Sequence, residues 1–190
     1  MNEKSSKSLI LGQSLKSYFC DLLLNLNQKS FSPVPKEAIF YSSEVLESYA
    51  LSRKFFEIKE GRVSEKVLGM KLLESGSLPF EQQKREIKDI ADTALVLKGF
   101  FSGSLRNKIV DENYYVQLGK MAYARMEGIS PSVFDMPHFY EMMAQCFEGV
   151  TSLIEILAAD MSLDSMDLNQ ENEFLNAHLG IVDLKPEKPS

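Results

Sequence analysis

The sequence predicts an all-α protein, a single-domain helical bundle of about six main helices and a short C-terminal helix. Apolar residues recur every three to four positions along most of the chain, which is the period of one helix face. Gly, Ser and Pro interrupt this pattern at intervals, so short loops should join antiparallel helices. Since we find no convincing alternation of apolar and polar residues, we expect no β-sheet.

The composition fits one soluble domain with a real core. The chain has 190 residues, of which 44% are hydrophobic and 25% charged. We predict a flexible N-terminus over residues 1–7, a helical domain over 8–180 and a disordered C-terminal tail over 181–190. Two cysteines, Cys20 and Cys146, lie at apolar helical positions and are expected to be reduced core thiols.

The charge and the apolar runs exclude some classes of protein. A net charge of −6 argues against nucleic-acid binding, because neutralising phosphates requires a basic surface. No apolar run approaches the length of about 20 residues that spans a bilayer. The N-terminal residues form an amphipathic pattern without the cleavage site of a signal peptide. We therefore expect a cytoplasmic protein with no membrane span.

The first helices follow from apolar periodicity and from turn residues. A first helix is expected over 8–27, followed by a proline-containing linker, and a second helix from Lys36 to about Ile58. Glu60 and Gly61 then break the chain. Ser64 is expected to cap a shorter helix over roughly 65–74.

The remaining four helices include the short C-terminal one. They are predicted over 79–101, 111–126, about 137–159 and about 169–178. The helix over 111–126 presents an inner face made of Tyr115, Leu118, Gly119, Ala122 and Met126. Because Gly119 and Ala122 are small, another helix can approach closely there. Pro137 is expected to open the next helix, which has the most regular apolar stripe in the chain.

The stretch from Asp89 to Met126 carries most of the polar residues that stand out. Asp89, Asp92 and Thr93 fall off the apolar face of their helix. Lys98, in contrast, projects into the apolar stripe. A lysine in that position either extends to the helix end or is buried with a carboxylate. Our hypothesis is that Lys98 pairs with an acidic residue such as Asp92 or Asp111 and fixes the following turn.

Aromatic residues flank the connector between these two helices. Not all of them can point inward, and an exposed aromatic cluster is typical of a partner site. The predicted partner-binding residues are Phe100, Phe101, Leu105, Arg106, Tyr114 and Tyr115.

The same stretch carries a resemblance to a protein family. Its motifs are DTAL from Asp92, GFF from Gly99, SL from Ser104, VD from Val110, and YY, G and AY from Tyr114 to Tyr123. They resemble an uncharacterised bacterial family of all-helical proteins, over roughly residues 40–186. This chain departs from the family pattern at Ala91, Val96 and Leu118. The resemblance implies an all-helical cytoplasmic protein and implies neither an activity nor catalytic residues.

No recognisable catalytic motif is present. Nucleophile-elbow, P-loop and dinucleotide-binding patterns are absent. The two histidines, His138 and His178, belong to different predicted elements, and the Glu-x-x-His pattern of helical di-metal sites does not occur. His138 is expected to be exposed or to cap a helix. We predict no metal, no cofactor and no enzymatic activity. An enzyme would need folding to assemble a cluster from Asp89, Asp92, Lys98, Tyr115 and His138.

These observations favour a non-enzymatic regulatory or adaptor protein that acts through protein contacts, with bacterial signalling or cell polarity as the expected setting. The alternative is a helical protein that binds an apolar or aromatic small molecule between its last two long helices. A protein-binding module predicts an exposed apolar patch around Phe100 and Tyr114. A ligand-binding protein predicts a closed cavity of a few hundred Å³. The partner and the oligomeric state stay open.

Overall fold

The computed structural model describes residues 14–50, 56–59, 62–65, 68–102, 112–129, 132–133 and 136–167. Within these ranges the fold is all-α, which confirms the predicted class and the number of main helices. The helices are α1 (Leu15–Gln28), α2 (Lys36–Ala50), α3 (Leu68–Glu74), α4 (Phe80–Phe100), α5 (Glu112–Ile129) and α6 (Phe139–Asp167). The predicted flexible ends, 1–7 and 181–190, and the predicted helix over 169–178 lie outside the described residues.

Two short antiparallel hairpins correct the expectation that the chain has no strands. The first pairs β1 (Phe56–Lys59) with β2 (Arg62–Glu65), and the second pairs β3 (Ser132–Val133) with β4 (Met136–Pro137). The second helix therefore ends at Ala50 and not near Ile58, which faces Val63 across the first hairpin. Ser64 pairs with Glu57 in the same hairpin, so it does not cap α3.

The hairpins have a local cause in the sequence. Lys59 faces Arg62, so two residues connect the first pair of strands, and the second of these is a glycine. Two-residue hairpin loops favour glycine because their backbone needs positive φ angles. Pro137, which was expected to open a helix, pairs with Ser132 in the second hairpin instead. The helix α6 begins two residues later, at Phe139.

A buried asparagine fixes the connection between α1 and α2. The Asn27 amide donates from Nδ2 to the Val34 carbonyl at 2.9 Å, and its Oδ1 accepts from the Val34 N–H at 2.8 Å. Both residues are buried, and two prolines flank Val34. Neither proline can donate a hydrogen bond, so Asn27 satisfies the one N–H among these three residues. The linker is thereby held against the start of the bundle.

The core lies between α4, α5 and α6, with α1 and α2 packed beside them. The largest fully buried side chains are Tyr123, Phe139, Phe147, Leu23, Ile39, Leu68, Ile87, Ile90, Leu95, Met126 and Met143. Glycines allow the three long helices to approach closely. A Cβ on Gly99 would lie 2.7 Å from the Ile154 side chain, and one on Gly119 would overlap the Phe147 ring. The predicted close approach at Gly119 is therefore confirmed.

Both cysteines lie at helical positions and are half-buried with free thiols. Burial raises the pKa of the Cys146 thiol to about 11. It also raises the pKa of Cys20. Since the thiolate is the reactive form, both side chains are poorly suited to nucleophilic or redox chemistry.

Candidate functional site

The most unusual feature of the interior is a polar network centred on Asp92. Its Oδ1 accepts hydrogen bonds from the hydroxyls of Tyr41 at 2.7 Å and Tyr123 at 2.9 Å. Its Oδ2 accepts from Lys88 Nζ at 2.6 Å. These four residues, the Asp92 network, join α2, α4 and α5. The prediction that Asp92 falls on the outer face of its helix is wrong, since the residue is only 5% exposed.

A second polar contact joins α2 to α4 at Thr93, the residue that follows Asp92. The Tyr49 hydroxyl shares a 2.7 Å hydrogen bond with Thr93 Oγ1 and approaches the Asp89 carbonyl at 3.2 Å. Thr93 in turn donates to the Asp89 carbonyl at 2.6 Å. Thr93 is buried, so its predicted outward position is also wrong. Together with the Asp92 network, this contact ties α2 to α4 along one side of the core.

Burial sets the electrostatics of these groups. Burial first, and then the charge of Asp92, raise the pKa of Tyr41 and Tyr123 well above 10. Burial also raises the pKa of Tyr49. Burial opposes the charged form of Lys88, but Asp92 outweighs it, so the pKa of Lys88 is raised. All three tyrosines are therefore neutral hydrogen-bond donors at physiological pH.

The Asp92 network is organised as a structural element. Tyr41 and Tyr123 are buried, and the Lys88 side chain is the member that reaches solvent. Its aromatic rings pack edge to face on Phe139 and stack on Tyr140 at the start of α6. These contacts fill the space around the carboxylate. The network satisfies its own polar groups and holds three helices in register.

Lys98 is half-buried beside a carboxylate partner, as its place in the apolar stripe suggested. The partner is Glu155 on α6, with Lys98 Nζ and Glu155 Oε2 3.1 Å apart. This corrects the expected partner Asp92, which accepts from Lys88 instead. Asp111, the other expected partner, lies outside the described residues. Lys98 thus joins α4 to α6.

The other residues of the hypothetical catalytic cluster lie in different surroundings. Asp89 lies beside Tyr49, whereas Tyr115 packs edge to face on Tyr114 with ring centroids 5.3 Å apart. His138 lies at the start of α6, where its carbonyl accepts from the Met142 N–H at 3.0 Å. The side chain is exposed and contacts Glu127. His138 is thus exposed, as expected, while the Glu127 side chain accepts the backbone N–H of Glu141 in the first turn of α6.

The predicted partner-binding residues divide into three groups. Phe100 and Phe101 are half-buried against the core, with ring centroids 5.6 Å apart. Tyr115 is buried, whereas Tyr114 is 38% exposed. Leu105 and Arg106 lie outside the described residues. Tyr114 is therefore the residue of this group that offers an aromatic ring to solvent within the described ranges.

Phe100 and Phe101 line a shallow apolar groove. Its other walls come from α1, α2 and α4, and its lining residues are Phe19, Leu46, Tyr49, Ala50 and Val96. The cavity volume is about 20 Å³, which is room for about one water molecule. A binding site for an aromatic ligand needs a few hundred Å³, so this groove is too small for one. It also lies away from the last two long helices, where the alternative places its ligand, so that alternative stays a prediction.

A more exposed apolar surface lies on α3 and was missed by the sequence reasoning. Met70 is 58% exposed and Leu73 78% exposed, and their spacing of three places them on one helix face. A Cβ added to Gly69, the residue before Met70, would overlap the Tyr114 hydroxyl, so Tyr114 lies against α3 beside Gly69. We call Met70, Leu73 and Tyr114 the α3 surface.

The opposite face of α3 anchors this surface to the bundle. Leu68 and Leu72 are buried. The Leu72 carbonyl accepts from Arg125 Nη1 on α5 at 3.2 Å, and Lys71 lies 3.6 Å from Glu86 on α4. Contacts to two long helices thus hold this seven-residue helix in place. The sequence did carry a signal for this surface. Leu68 and Leu72 are four residues apart and Met70 and Leu73 three apart, so the short helix has apolar residues on two different faces.

One described helix is long and apolar enough to cross a membrane. It covers Phe139–Met161 within α6 and has a mean hydropathy of 1.3, which the sequence had not led us to expect. The core helix of a soluble protein meets the same criteria. The buried face of α6 packs against α4 and α5. The absence of a membrane span therefore stays a prediction.

In comparisons with known protein families, curated proteins and solved structures, none of these matches the chain.

Proposed function

We propose that the chain is a non-enzymatic protein-binding module, of a regulatory or adaptor kind, that engages a partner protein through the α3 surface. The observation that carries this proposal is the pair of adjacent, mostly exposed apolar side chains Met70 and Leu73. Single exposed apolar residues are common on soluble proteins, but neighbouring ones on an anchored element are typical of interaction sites. We also propose that the chain belongs to the uncharacterised bacterial family that its central motifs resemble.

The α3 surface has the chemistry of a binding centre. Met is adaptable in shape and suits a surface that packs against another protein. Tyr114 adds an aromatic ring with a polar tip, a side-chain type enriched among residues that dominate binding energy. Because α3 is anchored through Leu68 and Leu72, little order has to be gained on binding.

The burial energy available at this surface supports useful affinity. Burying one large apolar side chain contributes about 1.5–3 kcal/mol. Replacement of Leu73 by a charged residue should therefore weaken binding by about 10- to 150-fold. Since Leu73 is exposed, the same replacement should change the free energy of unfolding by less than about 0.5 kcal/mol.

Site-specific photo-crosslinking in the host cell tests the proposal. A benzophenone amino acid is placed at Leu73 in one variant and at Phe40 in a matched control. Phe40 is also an exposed apolar helical residue, but it lies on α2. The proposal predicts one discrete protein adduct from position 73, lost when Met70→Glu is added, and no such adduct from position 40. Equal adducts at both positions, or none at position 73, would contradict it.

A further inference from the structure

A group of potential metal ligands lies where α5 and α6 meet, apart from the α3 surface. Glu127 near the end of α5, His138 just before α6 and Glu141 in the first turn of α6 place their ligand atoms within 4.8 Å of one another. One imidazole nitrogen and two carboxylates come from three separate positions in the chain.

The distances suit a small tetrahedral ion. His138 Nδ1 lies 3.0 Å from Glu127 Oε1 and 3.6 Å from Glu141 Oε2. With metal–ligand bonds of about 2.0–2.1 Å, two ligands of a tetrahedral ion lie about 3.3 Å apart. The observed separations bracket that value. The exposed His138 and Glu141 side chains could therefore adjust around an ion beside the less exposed Glu127.

The Glu127 carboxylate is already oriented for such a role. Its Oε2 accepts from the Glu141 backbone N–H at 3.2 Å, which leaves Oε1 facing the His138 ring. Hydrogen bonds of this kind orient metal ligands in established sites. Both carboxylates approach Nδ1, so Nδ1 is the ligating nitrogen.

We propose that Glu127, His138 and Glu141 form a surface site for a divalent first-row transition ion of the Zn²⁺ type. Two carboxylate charges balance a divalent cation, and an imidazole nitrogen favours Zn²⁺ over Mg²⁺ or Ca²⁺, which prefer oxygen ligands. Three protein ligands leave the fourth position to water. The ion links the end of α5 to the start of α6 across the β3–β4 hairpin.

Calorimetric titration with ZnCl₂, and with MgCl₂ in parallel, tests the site. The wild type is expected to bind one Zn²⁺ per chain with a micromolar Kd, and Mg²⁺ far more weakly. His138→Gln and Glu141→Gln should each raise the Kd for Zn²⁺ at least tenfold. Both side chains are exposed, so far-UV circular dichroism should show unchanged helical content. If His138→Gln altered the fold, Glu141→Gln would decide the question.

Two matched variants control the titration. Glu81→Gln changes a glutamate in the first turn of another helix, α4, and His178→Gln removes the other histidine of the chain. Both should bind Zn²⁺ like the wild type. The proposal is overturned if the wild type shows no saturable one-to-one binding, if His138→Gln and Glu141→Gln bind like the wild type, or if His178→Gln abolishes binding.

Discussion

Replacing Asp92 by alanine should be among the most destabilising single changes in this protein. The substitution leaves the hydroxyls of Tyr41 and Tyr123 buried without the acceptor that they share. An unsatisfied buried hydroxyl costs about 1–3 kcal/mol, so we expect a loss of about 2–6 kcal/mol. Lys88 adds little to this, because its side chain reaches solvent.

A conservative variant separates the two parts of this cost. Asp92→Asn keeps an oxygen that can accept from both tyrosines and loses the charge that faces Lys88. Its cost should be nearer 1–2 kcal/mol, because both tyrosine hydroxyls keep an acceptor but lose the stronger hydrogen bond that a charged acceptor provides. Asp160→Ala on α6 is the control, since Asp160 is exposed and its replacement should change stability by less than about 0.5 kcal/mol.

Urea unfolding followed by circular dichroism measures these differences. A double-mutant cycle with Tyr123→Phe adds a direct test, because the Asp92→Ala cost should shrink by about 1 kcal/mol or more when the Tyr123 hydroxyl is absent. The reasoning is refuted if Asp92→Ala costs less than 0.5 kcal/mol, or if the two substitutions are strictly additive.

Three further predictions follow from buried groups and close contacts. The tyrosines of the Asp92 network have a raised pKa in the folded state, so the unfolded state loses protons first above pH 10. The contribution of these two tyrosines to stability should be fully present below pH 10 and be lost above it by up to about 3 kcal/mol per pH unit, as measured by urea unfolding across that pH range. Gly119→Ala should cost about 1–3 kcal/mol through overlap with Phe147, whereas Gly128→Ala, in open space on the same helix, should stabilise by up to about 1 kcal/mol in urea unfolding. Within the described residues the buried Ser42 hydroxyl has no hydrogen-bond partner, so Ser42→Ala should be neutral or stabilising in the same assay. Ser43→Ala, which removes a 2.8 Å hydrogen bond, should destabilise by about 1 kcal/mol.

Helical periodicity was sufficient to predict the fold class because each long helix buries one continuous stripe. The inner face predicted for α5 is buried from Tyr115 to Met126. The first hairpin was missed because Phe56 and Ile58 extend the apolar pattern of α2 past its true end. Their alternation with Glu57 and Lys59, followed by a glycine, was the available signal for a strand.

The polar network could not be predicted because its members are far apart in the chain. Tyr41 and Tyr123 lie 51 and 31 positions from Asp92. Local pattern places an aspartate on the solvent side of a helix, since only tertiary partners can make its burial favourable. The same limit applies to Lys98, whose burial with a carboxylate was predictable from its apolar neighbours but whose partner Glu155 was not.

The candidate sites were also predictable only in part. Aromatic residues near the connector predicted an exposed ring, and Tyr114 is exposed, but the α3 surface depends on how α3 sits against α4 and α5. The spacing of His138 and Glu141, one helical turn apart, was visible in the sequence. Glu127 joins them only because the β3–β4 hairpin returns the chain to the end of α5.

The most direct test of the proposed partner binding is native mass spectrometry of the protein isolated gently from its host. The chain alone has a mass of 21.5 kDa. We expect the wild type to carry the added mass of a second protein and the Met70→Glu/Leu73→Glu variant to lack it, while a bound Zn²⁺ ion would add the same small mass to both. An equal protein complex in the double variant, or an increment larger than a metal ion but of small-molecule size in place of the protein partner, would contradict the account.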